Sequence, residues 1–397
     1  MKGIDLIVIG AGASGYAAAI RAAERGLSVK LLDGSAKTAR KVSASGNGRC
    51  NLSNSDVTPS RYLSSDPDRL AEILAKGQGV VEDFFASLGV LTTSDEAGRL
   101  YPWSNRSSSV VDALTMAADK LGVERTTALV KGIRPQGEGY VVLTDGGALF
   151  APQVVLAVGS PASPSVGGQD NPWIEGLGFD AVPYRPALVA LKVDKRYFSL
   201  KGCRAKAQAT LLDGGKPVKR EEGEVLFGEG TLSGILSMQL SLYLGKCAHP
   251  EVELDLLPTL SEEEIASLLL RRLAGQKADK AFVGLLDKPI AYCLLKEEGV
   301  SLDETGVSPS RLAAVAHRAK HWTFAVTGTL GLDAAQVALG GIKLSRLTSS
   351  MESIAHPGLY AVGEMVDVTG ECGGYNLHWA WLTGILAAEE AASKRLT

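Results

Sequence analysis

"DLIVIGAGASGYAAAIRAAERGLSVKLLD", residues 5–33, holds the reading that decides the fold. The apolar run from Leu6 to Ile9 has the length and composition of a buried parallel strand, and glycines follow it at Gly10, Gly12 and Gly15. A helical stretch comes next, Gly26 marks its end, and a second apolar run finishes on Asp33. Each glycine has a separate task in this pattern. Gly10 permits a tight turn, Gly12 lets the backbone approach a pyrophosphate, and Gly15 lets the helix pack on the strand. Ala13 and Ser14 open the helix, whose free N–H groups and dipole favour an anion. Asp33 is placed to accept hydrogen bonds from ribose hydroxyls. The glycine pattern alone is weak, but strand before, helix after and acid at the right distance make it a dinucleotide-binding signature.

The rest of the chain sets limits on what this fold can serve. At 397 residues it exceeds a single ordinary core, so two or three domains are expected, and 45% hydrophobic with 21% charged residues is a globular composition. The formal net charge of −3 offers no basic surplus for a phosphate backbone, so a nucleic-acid partner is not expected. Cys50, Cys203, Cys247, Cys293 and Cys372 are odd in number, far apart and without a C-x-x-C pair, which suggests neither a disulfide framework nor a zinc site and fits a reducing cytoplasm. The apolar core "LIVIG" is too short for a membrane span, and no membrane partner is expected. His317 and His321 are spaced i,i+4, but among Arg318 and Lys320 they read as a solvated helix face; with His249 and His356 unpatterned, no metal is expected.

Later segments resume the same sheet. Val154 to Val158 form a short apolar run closed by Gly159 and a Pro/Ser/Gly loop. "PGLYAVGEMVDVTGECGGYNLHWAW", from residue 357, gives a strand to Gly363, then Glu364, Asp367, the pair Gly373–Gly374, and a helix opening near Asn376. A glycine pair before a helix suits close approach of backbone to an anion. "GLGFDA" at 176–181 mimics a second fingerprint, but no strand precedes it, so an independent NAD(P)H domain is not expected. From Ala187 to Phe227 the pattern is short and alternating, with Asp213–Gly214 as a turn; beyond Pro258 it becomes helical, Ser261 and Glu264 being spaced as a capping box, until an extended "WTFAVTGTLGL" from Trp322.

"GAGASG", "SGNGRCNLSN", "GRLYPWSNRSSSVVDAL", "VVLAVGSPASPSVGG", "GEVLFGEGTLSGILSMQLS" and "GECGGYNLHWAW" together resemble the YhiN/BaiN-like flavoproteins, bacterial FAD-binding proteins, in order along almost the whole chain. The resemblance implies an α/β fold: a Rossmann-type FAD-binding domain from both chain ends (1–186 and 344–397), an inserted small β-barrel-like domain (187–257 and 321–343), and a helical insertion within it (258–320). It implies that Gly46, Gly48, Arg49, Cys50 and Asn51 line the flavin, with Val130, Gly159, Gly363, Glu364, Asp367, Gly373, Gly374, Tyr375 and Asn376 among the other FAD contacts. It also implies an FAD-dependent oxidoreductase acting on a small organic molecule held between the flavin and the insertion, with either NAD(P)H or O2 as electron partner. Family activities include reduction of unsaturated steroid-like acids and oxidation of a small amino ketone. A flavin-dependent RNA-modifying enzyme and a non-catalytic flavin-binding protein are the other classes.

Three positions depart from the family pattern. Asn47 stands where the family has glycine, Cys372 where no family cysteine is expected, and His378 where glutamine is common. Cys50 reads either as a reactive group at the flavin face or as a small packing residue. His378 reads either as a general acid or base near neutral pH or as a packed, hydrogen-bonded histidine.

Overall fold

Alternation and glycine placement, the two signals of the sequence, organise the structure, a computed structural model that describes residues 3–193 and 199–395. It has two compact units, Met1–Pro186 with Gln336–Thr397, and Ala187–Ala335. Lys195 and Arg196 of the Lys/Arg-bearing stretch 192–220 lie outside the described residues.

The first unit is built on a five-stranded parallel sheet ordered Leu359–Ala361, Gln153–Leu156, Leu6–Ile9, Val29–Asp33, Glu124–Thr127. Its central strand is buried along its whole length, which is why residues 6–9 are a continuous apolar run instead of an alternating one. The helices Ala13–Glu24 and Tyr375–Arg395 pack on each other. Small residues permit that approach: a Cβ added at Gly384 would lie 2.3 Å from the Ser14 carbonyl oxygen and 3.2 Å from the Ala17 Cβ. Arg25 closes the helix pair with two hydrogen bonds to the Glu389 carboxylate, each 2.8 Å. Beneath them Trp381 meets Phe85 edge to face with ring centroids 5.1 Å apart, and both side chains are buried.

The second unit is a closed antiparallel barrel of six strands ordered Leu191–Val193, Thr231–Ser233, Lys216–Phe227, Arg204–Asp213, Pro250–Asp255, Trp322–Thr329. Alternate residues fill it, Ala205, Ala207, Ala209 and Leu211 on one strand and Trp322, Phe324 and Val326 on another. The helices Glu262–Arg272, Lys288–Glu297 and Pro309–Lys320 intervene between its last two strands. They share one apolar core with the barrel, through Ile265, Leu269, Leu294, Leu312 and Val315, so 258–320 is not a separate unit. The capping box at Ser261 and Glu264 is formed. One boundary differs from expectation: Val337–Ile342 pairs with Ala181–Ala187, which assigns it to the first unit, and that unit resumes at Gln336, not at residue 344.

Candidate functional site

The glycine turn has the shape its three tasks require. Gly10 has φ +102°, and an added Cβ would lie 2.4 Å from the Ala157 carbonyl oxygen of the neighbouring strand's extension. At Gly15 an added Cβ would lie 1.8 Å from the Gly10 carbonyl oxygen. Gly12 is different: it precedes helix Ala13–Glu24 in an extended conformation, no side chain caps the helix, and nothing lies within 4 Å of an added Cβ. The first-turn N–H groups of that helix have no intrahelical acceptor. An open, uncapped helix start of this kind fits a pyrophosphate.

Asp33 secures the turn. Its Oδ2 accepts from the Ala11 N–H at 2.7 Å, its Oδ1 from the Ser35 N–H at 2.8 Å, and its carbonyl from the Ala128 N–H at 2.8 Å. The last bond carries the chain toward Val130, which is buried at the start of the strand Val130–Gln136. Gly159, with φ +72°, follows Ala157, whose N–H donates to Ile9.

The loop at 43–54 begins as a helix from Arg40, then unwinds. Ser45 is extended, and Gly46, Asn47, Gly48 and Cys50 all have positive φ, at 57°, 55°, 80° and 62°. Asparagine tolerates the left-handed region better than most side chains, so Asn47 takes the conformation that a glycine would supply. Arg49 folds back: its Nε donates to the Gly46 carbonyl at 3.2 Å and its guanidinium sits 4.5 Å from the centre of the Tyr101 ring. With its amide nitrogen toward Ser53, Asn51 donates to the Ser53 carbonyl at 2.9 Å and accepts from the Gly374 N–H at 3.0 Å.

That bridge joins the chain's two most distinctive motifs. Asn54 donates to the Gly373 carbonyl at 2.9 Å, Trp381 donates to the Leu52 carbonyl at 3.2 Å, and Tyr62 donates to the Tyr375 carbonyl at 3.1 Å. Gly374 has φ +98°, and an added Cβ would lie 2.2 Å from the Ser53 carbonyl oxygen. Asn376 ties its own turn, its Oδ1 accepting from the Gly370 N–H and its Nδ2 donating to the Gly370 carbonyl, both at 2.8 Å. Gly363 lies over the first helix, where an added Cβ would be 2.6 Å from Ser14 Oγ. Glu364 accepts from Lys41 and from Ser160 Oγ, each at 2.8 Å, and Asp367 is buried beside it in sequence. Lys41, Ser53, Tyr101 and Ser160 escaped the sequence reading; only Lys41 gave a signal, a cation just ahead of the glycine loop, and its acceptor is 323 residues away.

The two candidates for chemistry, Cys50 and His378, are both buried. Cys50 is fully buried, and burial pushes its thiol up to about 12, so it is protonated at neutral pH. Native Cys50 is expected to resist iodoacetamide and to be carboxamidomethylated once the chain is unfolded; peptide mass spectrometry that finds rapid native labelling would contradict this. His378 is almost fully buried, its Nδ1 is 2.8 Å from Ser53 Oγ, and burial lowers its ring to about 4. It is therefore a neutral imidazole at physiological pH, not an imidazolium acid. Cys372 is half-buried with its thiol raised by burial, and neither it nor Cys50 takes part in a disulfide.

A glycine cradle on a parallel sheet, an acid at the end of the second strand and a second glycine pair leading into a helix define a dinucleotide-binding Rossmann fold. The family described as "HI0933-like protein Rossmann domain" matches residues 4–390, and the chain belongs to it. It is 32% identical to a 3-dehydro-bile acid delta(4,6)-reductase of Clostridium scindens, with 98% of each chain covered. It is 31% identical to a ribosomal RNA dihydrouridine synthase of Haemophilus influenzae, with 96% of this chain and 97% of that one covered. Among solved structures, a 3-ketosteroid delta1-dehydrogenase from Sterolibacterium denitrificans has a TM-score of 0.54 at 13% identity, covering 99% of this chain and 100% of that one. A 3-ketosteroid-delta4-(5alpha)-dehydrogenase from Rhodococcus jostii has a TM-score of 0.52 at 18% identity, covering 98% and 96%. These two share the fold. No helix among the described residues is long and apolar enough to cross a membrane.

Proposed function

We propose that this chain reduces a carbon–carbon double bond conjugated with a carbonyl in a small organic molecule, hydride going to the β-carbon and a solvent-derived proton to the α-carbon, with NAD(P)H as the electron donor. The observation that carries this reading is the full-length similarity to proteins named as a bile acid reductase and as dihydrouridine synthases, names that share saturation of an activated double bond. FAD, when bound, supplies the two-electron chemistry. The residues of the chain hold and bias it. Gly10, Gly12 and Gly15 with the N–H groups of Ala13 and Ser14 would take the pyrophosphate, and Asp33 the ribose. The start of helix Tyr375–Arg395, opened by Gly373 and Gly374, would favour negative charge on a flavin bound against it.

A small substrate is favoured over RNA by the charge pattern of the long hairpin in the second unit. The hairpin's five Lys/Arg stand with four acids, and Arg204 pairs with Glu224 at 2.9 Å and Lys219 with Glu221 at 3.1 Å, so it carries little net positive charge. The test is anaerobic stopped-flow absorbance of the FAD-bound protein with NADH and, separately, NADPH. Bleaching of the oxidised flavin band is expected, followed by its rapid return on mixing with a steroidal enone acid but not with a uridine-containing RNA. Return with RNA alone would replace the small-molecule reading, and reduction only by an amine or amino ketone would make the protein an oxidase or dehydrogenase of that class.

A further inference from the structure

In the second unit three side chains converge. His317 lies in the last turn of helix Pro309–Lys320, His321 is the residue that caps its C-terminal end, and Glu262 lies in the first turn of helix Glu262–Arg272. Glu262 Oε2 is 3.1 Å from His317 Nδ1, its Oε1 is 3.2 Å from His321 Nε2, and one ligating atom from each residue lies within 4.8 Å of the others. We propose that these residues form a binding site for a divalent first-row metal ion, with Zn²⁺ the best match and water completing the coordination.

Geometry is the first support. An ion held about 2.0–2.1 Å from imidazole nitrogen and carboxylate oxygen in a tetrahedron has donor-to-donor edges of about 3.3 Å. Each oxygen of Glu262 has that span to one of the two imidazoles, and one ligating atom from each residue lies within 4.8 Å of the others. Two imidazoles and a carboxylate suit zinc by donor chemistry, and the same set accepts nickel and copper.

The second support is the far side of His321. Its Nδ1 lies 3.0 Å from Glu253 Oε2, on the barrel strand Pro250–Asp255. Both ring nitrogens of His321 therefore face carboxylates. A neutral imidazole carries one N–H and satisfies only one of them. A metal at Nε2 leaves the Nδ1 proton to donate to Glu253, the carboxylate–histidine–metal arrangement that fixes ring orientation in metal sites.

Rigidity and access complete the case. Leu312, Val315, Ala316 and Ala319 bury the opposite face of the histidine helix, while Ile265 and Leu269 anchor the helix of Glu262 and the capping box fixes its first turn. The cations beside the histidines are engaged elsewhere, Arg318 with Glu298 at 2.7 Å and Lys320 with Asp255 at 2.7 Å. The three candidate ligands are open to solvent, so an ion can enter. Bound there, it would tie both helices to the barrel strand through Glu253 and stabilise the folded state by mass action.

The test uses the full-length FAD-bound protein, stripped with chelator and dialysed. Calorimetric titration with Zn²⁺ is expected to show saturable uptake of one equivalent, and Co²⁺ in its place is expected to give the visible bands of a tetrahedral site. His317→Ala and His321→Ala should each weaken affinity at least tenfold, Glu253→Gln about tenfold, and Cys203→Ser with Cys247→Ser not at all. The flavin spectrum and thermal unfolding verify that each variant is folded. No saturable uptake, or wild-type affinity in both histidine variants, overturns the proposal and leaves the contacts as ion pairs of protonated histidine.

Discussion

Gly12→Val is expected to give a folded protein that purifies without flavin, whereas Gly15→Ala is expected to damage the fold itself. The two positions are three residues apart in one motif, yet their surroundings differ completely. Gly12 has φ −89° and ψ −163°, a conformation open to any residue, and an added Cβ meets nothing within 4 Å. A branched side chain there costs the empty fold little, but it occupies the approach to the helix start, where backbone N–H groups would meet a pyrophosphate. FAD affinity should fall at least tenfold, about 1.4 kcal/mol or more. At Gly15 the obstacle is backbone: the added Cβ would lie 1.8 Å from the Gly10 carbonyl oxygen, which cannot rotate away. The helix must lift from its strand, with a loss of about 3 kcal/mol, the upper end of the usual overpacking range. Thermal unfolding of both apoproteins and titration of flavin fluorescence separate the two failures. Equal destabilisation in both would remove Gly12 from the ligand's path.

The second large effect is a dependence on pH. His378 has its ring lowered to about 4 in the folded chain by burial, against 6.5 for the free side chain. The unfolded chain therefore takes up the proton first. Stability is fully present above about pH 6.5, falls as pH drops, and levels off below about pH 4, the whole difference being roughly 3 kcal/mol. His378→Gln keeps an amide for the Ser53 hydroxyl and removes the titration. Chemical denaturation at about pH 7.5 and about pH 4.5 should thus show a smaller loss in the glutamine variant than in the parent, since the carboxylates contribute alike to both. Parallel losses would mean that the ring takes its proton without leaving its site.

What the sequence made legible divides by the range of the interaction. The strand, turn and helix of residues 6–24, the stop at Gly26, the acid at Asp33, the capping box at Ser261 and the hairpin turn after Asp213 are all local, and each rests on one residue's conformational preference or one period of alternation. Burial along the chain was legible too, since the central strand is apolar at every position and the barrel strands at every second one. Charge and proton chemistry were not. Whether His378 titrates near 7 or near 4 depends on the residues that bury it, and spacing does not encode desolvation. Lys41 and Glu364 find each other across 323 residues, and the pair His317/His321 looked like a wet helix face because Glu262 and Glu253 arrive from other elements.

The order of strands in the parallel sheet carries a consequence for synthesis. The strand that flanks Gln153–Leu156 on its outer side is Leu359–Ala361, and the partners of Asn51, Ser53 and Asn54 are Gly374, His378 and Gly373 in turn. A ribosome therefore releases about nine-tenths of the chain before this edge can be covered or the glycine loop held in place. Meanwhile the barrel unit, whose strands all lie between residues 191 and 329, has every segment it needs. The nascent protein passes through an interval with one finished unit and one unpaired parallel edge, and residues 51–54 gain their partners at 373–378 only after it.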